Sequence, residues 1–356
     1  MIAKKIAALT AAICMALTGA AGAFPAQMLT ENAGITAGAA EIVERGSCGD
    51  NARYVLDSAG VMTISGTGEI KTPDGFYKLD PKKIIISKGI TGIGEYAFAD
   101  CKELASITIS DTVTNIGQYA FGGCSKLTTI TIPKSVVTME TYSNFTGYWT
   151  FAGCSALTRI KVDPDNPAFS SIDGFVFNKE ENELLICPPG KSGSYTAPGG
   201  VQFVGSHAFE LSQLTDVVLQ WGVYTIGDWA FSYCKQLTSV TLPATVNKIE
   251  EFAFIMSPNL KDIYYGGTMA QWRRVKKPSN AFDQVTIHCT DGDVDAHQGD
   301  VNSDGSFNTA DVITMIAVLK GKKSMPDDGF KRYDFDGSGK YDYRDVMTAI
   351  QALKNS

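Results

Sequence analysis

Two stretches near the carboxyl end of this sequence carry the residue types from which a cation site is built. Asp300-Val-Asn302-Ser-Asp304-Gly305-Ser306-Phe-Asn308-Thr-Ala-Asp311 returns 34 residues later as Asp334-Phe-Asp336-Gly-Ser338-Gly339-Lys340-Tyr-Asp342-Tyr-Arg-Asp345. Each copy is twelve residues long, with oxygen-bearing side chains at positions 1, 3, 5, 9 and 12 and glycine at position 6. The backbone carbonyl at position 7, from Ser306 or Lys340, completes the set. An all-oxygen set suits Ca2+, a hard cation that takes six to eight oxygens, and two copies predict two ions. Without a cation the clustered carboxylates would repel one another. Val312, Ile313, Met315, Ile316 and Leu319 follow the first loop at helical spacing, and Val346, Met347, Ile350 and Leu353 follow the second.

Position 12 is Asp rather than the longer Glu of an EF-hand, and no amphipathic helix precedes the first loop, because residues 290–299 are polar and rich in Gly and Asp. A duplicated loop-plus-one-helix unit of this kind, over residues 300–356, resembles a type I dockerin. The resemblance implies a small all-α Ca-binding domain that plugs its chain into a cohesin module of a cellulosome scaffold. It also implies that positions 10 and 11, here Thr309, Ala310, Tyr343 and Arg344, meet the cohesin. The two copies differ there in size and charge, which predicts one preferred docking orientation.

Other chemistry is sparse. The three histidines are His207, His288 and His297, and there is no HExxH, no G-x-S-x-G and no phosphate loop. His207 stands inside a repeat frame, where a structural role is expected. Acidic neighbours such as Glu250-Glu251 read as solvated surface.

The elements that must position these loops are preceded by an array. Ala-Phe pairs recur at Ala97-Phe98, Ala120-Phe121, Ala208-Phe209, Ala230-Phe231 and Ala253-Phe254, with Thr150-Phe151 as a degenerate sixth. Between them runs Leu-x-x-Ile-x-Ile, then Val-x-x-Ile-Gly, and the frame steps by 23 residues from Leu104 to Leu127 and again through Leu214, Leu237 and Leu260. Such units bury apolar faces only against their neighbours. From Gly46 to Cys289 the pattern resembles BspA-like leucine-rich repeats. The implied fold class is a β-rich leucine-rich-repeat solenoid of parallel strands, short turns and 3-10 segments.

The frame marks two candidate binding surfaces. One is the outward side of the strands, from Ser106 and Thr108 through Arg159 and Lys161 to Asp262 and Tyr264. The other is the residue ahead of each pair, Tyr96, Tyr119, Trp149, His207, Trp229 and Phe252; its aromatic members are ligand-face candidates for a sugar or protein groove. Cys101, Cys124, Cys154 and Cys234 share one frame position and predict a buried ladder of reduced thiols. Insertions fall at 140–148 and at 163–195, the latter reading as a hairpin. Caps are expected at both ends of the array.

Of eight cysteines, Cys14 lies in a segment, Met1 to Ala23, that reads as a secretory signal peptide. The seven that follow are an odd number, which argues against a complete disulfide framework. Residues 24–45 read as a leader and 290–299 as a linker. A net charge of -7 argues against nucleic acid or an anionic membrane as partner. The expectation is a secreted, non-catalytic binding protein, held near the cell surface through a scaffold, whose repeats take a protein or polysaccharide. The alternatives are a carbohydrate-active or proteolytic enzyme with its site in the insertions, and a host or cell-surface adhesin.

Overall fold

The computed structural model describes residues 40–72, 75–140, 149–278, 282, 285–294, 301, 307–324, 333–335 and 338–354. The expected signal peptide, residues 24–39 of the leader and the insertion at 141–148 lie outside them.

Each repeat folds as one coil with three sides. The Leu-x-x-Ile-x-Ile segment forms a strand, as in Ser239–Leu242, and alternation sends Val240 and Leu242 into the core. The Val-x-x-Ile segment forms a two-residue strand, as in Lys248–Ile249, with Val246 and Ile249 buried. Successive coils pair in parallel, and these strands keep constant register: Asp216 faces Ser239, which faces Asp262, and Phe203 faces Thr225, which faces Lys248.

The third side carries the Ala-Phe pair and is also hydrogen-bonded from coil to coil. The amides of Tyr96, Phe98 and Asp100 donate to the carbonyls of Gln118, Ala120 and Gly122, and those of Trp229, Phe231 and Tyr233 to Glu251, Ala253 and Ile255. Two residues per turn take left-handed backbone to permit this. Tyr96, Tyr119, His207, Trp229 and Phe252 have φ of 52–59°. Asp100, Leu211, Tyr233 and Met256 hold the second site in their coils, and glycine occupies it at Gly123 and Gly153. A non-glycine residue there costs about 1–2 kcal/mol, offset by the axial hydrogen bonds that the geometry makes possible.

The core is a ladder of phenylalanines. Phe76, Phe98, Phe121 and Phe151 stack with centroids 5.6 Å apart at each step, and Phe209, Phe231 and Phe254 continue the same arrangement at 4.6 and 5.0 Å. The cysteine column beside them has a physical cause. Cys124, Cys154 and Cys234 are buried, unpaired thiols that donate to the carbonyls of Phe98, Phe121 and Phe209 at 3.0–3.1 Å. Where a later coil has serine instead, Ser257 Oγ donates to Phe231 in the same way at 2.7 Å. Burial raises the Cys234 thiol, pushing it up to about 12.

The ends and the second insertion differ from the sequence expectations. Residues 42–45, expected as leader, belong to the strand Ile42–Ser47, which pairs antiparallel with Asn51–Asp57. The insertion contains the expected hairpin, Phe175–Asn178 paired antiparallel with Glu183–Ile186, and adds a third antiparallel strand, Phe169–Ile172, ahead of it. Its last strand pairs in parallel with Phe203–Val204, so it rejoins the array. Asn166 anchors its start: Nδ2 donates to the carbonyls of Pro133 and Val136, and Oδ1 accepts from the amides of Ala168 and Phe169. The expected linker begins inside the C-terminal cap, because Gly292–Val294 pairs antiparallel with Thr286–Cys289. That cap also holds a short helix, α1 (Met269–Trp272), started by a capping box between Thr268 and Gln271.

The tail supplies two further helices, α2 (Thr309–Leu319) and α3 (Tyr343–Lys354). Val301, Val312, Met315, Tyr333, Phe335, Val346 and Ala349 form its own small core. No described helix is long and apolar enough to cross a membrane.

Candidate functional site

At positions 9 to 12 the two loops of the tail repeat each other in geometry as well as in sequence. Asn308 and Asp342, both at position 9, each receive an amide two residues on: Ala310 donates to Asn308 Oδ1 and Arg344 to Asp342 Oδ1, both at 2.8 Å. Asp311 and Asp345, both at position 12, turn back and accept the position-9 amide through Oδ2, at 2.8 and 2.7 Å. In the first loop this is a capping box that starts α2. At position 1, Asp334 curls over the second loop, accepting the amides of Ser338 and Gly339 at 3.0 and 2.9 Å. Ser338 Oγ donates to the carbonyl of Lys340, and Gly339 takes a left-handed φ of 73°, the turn that position 6 requires.

Asp311 and Asp345 are fully buried beside the apolar core of the tail. A buried carboxylate is costly unless hydrogen bonds and an opposite charge compensate it. One backbone amide each supplies part of that compensation. The remaining donors of both loops are hard oxygens, so the residues fit a Ca2+-sized cation. Asp300, Asn302, Asp304, Ser306 and Asp336 lie outside the described residues. Among the described residues, no group of three or more His, Cys, Asp or Glu side chains converges as a metal cluster.

The expected cohesin contacts fall on the first turns of α2 and α3. Thr309, Ala310 and Tyr343 are exposed. Arg344 is also exposed, but its guanidinium is engaged by Asp342, with Nη2 at 2.7 Å from Oδ2. That contact holds the Asp342 carboxyl below the usual carboxylate range.

The aromatic row ahead of the Ala-Phe pairs is split. Tyr96 and Tyr119 lie 5.5 Å apart, and Trp229 stacks on Phe252 at 4.6 Å. Trp149 departs from the expected surface row: it is buried, edge-on to Phe151. His207 is buried too, with Nδ1 2.7 Å from Glu210 Oε2 and its ring parallel to Trp229. Tyr96, Tyr119, His207, Trp229 and Phe252 share left-handed backbone, and the contacts of Tyr96 with Tyr119 and of Trp229 with His207 and Phe252 give these rings a structural reason.

The outward strand positions form a strip whose polarity changes along its length. Lys83, Arg159 and Lys161 lie in the first half and Asp216 and Asp262 in the second. Hydroxyls of Thr215, Ser239 and Ser194 hold the Asp216 carboxyl below its ordinary value. Asp262 lies 2.9 Å from His288 Nε2.

Comparison with known proteins places these observations. The profile of the BspA type Leucine rich repeat region matches residues 72–188 and 191–285 in six copies, and that of the Dockerin type I domain matches residues 298–354. Among curated proteins nothing matches the chain. Solved structures similar to it include a leucine-rich repeat protein from Eubacterium ventriosum, 25% identical, covering 64% of this chain and 73% of that one with a TM-score of 0.42. The pneumococcal vaccine antigen PcpA is 16% identical, over 70% and 94% of the two chains, with a TM-score of 0.34. A leucine-rich repeat protein from Bacteroides ovatus is 24% identical, over 61% and 54%, with a TM-score of 0.35.

Proposed function

This chain belongs to the BspA-type leucine-rich-repeat family and ends in a type I dockerin, and from that premise we propose an exported, non-catalytic binding protein of a cellulosome-type assembly. Both modules are of non-catalytic kinds, and a dockerin implies a cohesin as its partner. In this reading the repeats present the ligand-binding surface and the tail fixes the protein to a scaffold outside the cell.

Calcium acts through folding. Asp334, Asp336, Ser338, Asp342 and Asp345, with the carbonyl of Lys340, hold one ion. Asp300, Asn302, Asp304, Asn308 and Asp311, with the carbonyl of Ser306, hold the other. The ion supplies positive charge to the buried carboxylates of Asp311 and Asp345. The observation that carries the reading is the matched pair Asp311 and Asp345, both fully buried at the start of a helix and both tied to the position-9 amide.

Calorimetry on the full chain tests it. Ca2+ should bind with a stoichiometry of two, and chelation should abolish capture on immobilised type I cohesin. Binding of no ion, or capture that survives chelation, refutes the reading.

A further inference from the structure

The repeat is its own control for what the fold requires. Hydrogen bonds align the coils residue by residue, so a side chain that one coil carries and its equivalents lack is not needed for packing. Three such departures sit in two adjacent coils.

The turn that leads into each short strand closes with an amide bonded three residues back. Ile90 to Ser87, Val113 to Ser110, Val136 to Pro133, Val223 to Gln220 and Val246 to Pro243 are equivalent. The second residue of these turns is Lys88, Asp111, Lys134 and Ala244, but Trp221 in the fourth case. Two residues ahead of the inward-facing Ile93, Ile116, Met139 and Ile249 stand Thr91, Thr114, Val137 and Asn247, but ahead of Ile226 stands Tyr224; its amide donates to Gln202 and its carbonyl accepts from Asn247. On the short strands themselves Gly92, Asn115, Thr138, Thr225 and Lys248 occupy the position held by Phe203.

All three rings are out in solvent. Trp221 is 73% exposed, and Phe203 and Tyr224 are each 40% exposed. Phe203 and Tyr224 meet edge to face at 6.4 Å. Neither belongs to the core clusters. Large rings left in water at sites where the fold accepts threonine or lysine mark a binding surface.

The surroundings select the occupant. Gln202 and Asn247 stand on either side of Tyr224 in the neighbouring coils, bonded to its backbone, and Gln220 precedes Trp221; no hydrogen bond of these three side chains is present among the described residues. Lys248, opposite Thr225 on the next short strand, is paired with Glu250. Glu183 lies directly across from Phe203 in the sheet and would repel an anionic ligand. Flat apolar faces ringed by neutral amides complement the faces and hydroxyls of uncharged sugars, and suit a charged partner poorly. We propose that Trp221, Tyr224 and Phe203 form a stacking platform for a neutral polysaccharide chain, oriented by Gln202, Gln220 and Asn247. This deepens the reading of the repeats as a ligand-binding array by naming the surface and the ligand class.

The test uses the full chain with Ca2+, titrated with cellohexaose, xylohexaose, mannohexaose and polygalacturonate while tryptophan fluorescence is followed. At least one neutral hexasaccharide should bind and shift the emission to the blue. Trp221→Ala and Tyr224→Ala should each weaken that binding about tenfold or more, Trp221→Phe should retain most of it, and Tyr96→Ala should leave it unchanged. Matched melting curves would show that the variants are folded. The proposal is overturned if no neutral sugar binds, if only polygalacturonate binds, if the Trp221 and Tyr224 variants bind as the parent does, or if Tyr96→Ala is equally damaging. Cohesin capture by the same preparations reports on the tail separately, so failure of the platform and failure of the docking reading are distinguishable.

Discussion

Asn166 offers the most direct check on how the second insertion is held. Its side chain is fully buried and makes four hydrogen bonds of 2.8–2.9 Å to backbone groups: two carbonyls of one coil and two amides of the insertion. Replacing it with alanine leaves all four groups without that partner. At about 1 kcal/mol net for each bond the loss sums to about 4 kcal/mol, and water entering the vacated space recovers part, leaving about 3 kcal/mol. Repeat arrays unfold by neighbouring units, so the effect should concentrate between Pro133 and Phe169. Amide exchange at Ala168 and Phe169 should accelerate by about a hundredfold, as a 3 kcal/mol loss requires, and the urea midpoint should fall. Asn166→Asp keeps the acceptor for both amides but turns lone pairs toward Pro133 and Val136, so it should rescue little. Unchanged exchange at Ala168 and Phe169 in the alanine variant would refute this account of the anchor.

Three further outcomes follow from the geometry. Cys234→Ser should cost less than about 1 kcal/mol because the hydroxyl can donate to Phe209, whereas Cys234→Val should cost about 1–2 kcal/mol more; equal thermal midpoints for the two would show that the thiol hydrogen bond contributes nothing. Burial pushes Cys48 up to about 11 and Cys234 to about 12 from an ordinary 9.0, so the folded state favours the protonated thiol. The stability this provides is present in full below pH 9 and lost as pH rises through 11 and 12, and urea midpoints should fall across that window and not below it. Exchanging Tyr343-Arg344 for Thr-Ala should weaken cohesin capture if α3 supplies the contact, and an unchanged affinity would assign the contact to the first copy.

The period, the phenylalanine ladder and the paired loops were legible because each rests on a residue type recurring at fixed spacing. Trp149 was placed on the surface by the same rule, wrongly: its ring is buried and packs on Phe151. Left-handed backbone at Tyr96, Trp229 or Met256 could not be foreseen, since glycine fills such a site only at Gly123 and Gly153. The thiol-to-carbonyl hydrogen bonds depend on axial register, which spacing alone does not define. The signal for them was present in the interchange of Cys234 and Ser257 at one position. Phe203, Tyr224 and Trp221 escaped a search for recurring residues for the opposite reason: each is a place where the frame is broken.

The antiparallel strands Ile42–Ser47 and Gly292–Val294 have a consequence for how such chains change length. Any interior coil meets an equivalent surface above and below, whereas among the described residues these two strands pair on one side only. A whole 23-residue unit can therefore be spliced in or removed between Leu214 and Leu260 while the terminal strands keep their partners. Removing a single residue from within a strand such as Ser239–Leu242 would instead turn its inward side chains outward.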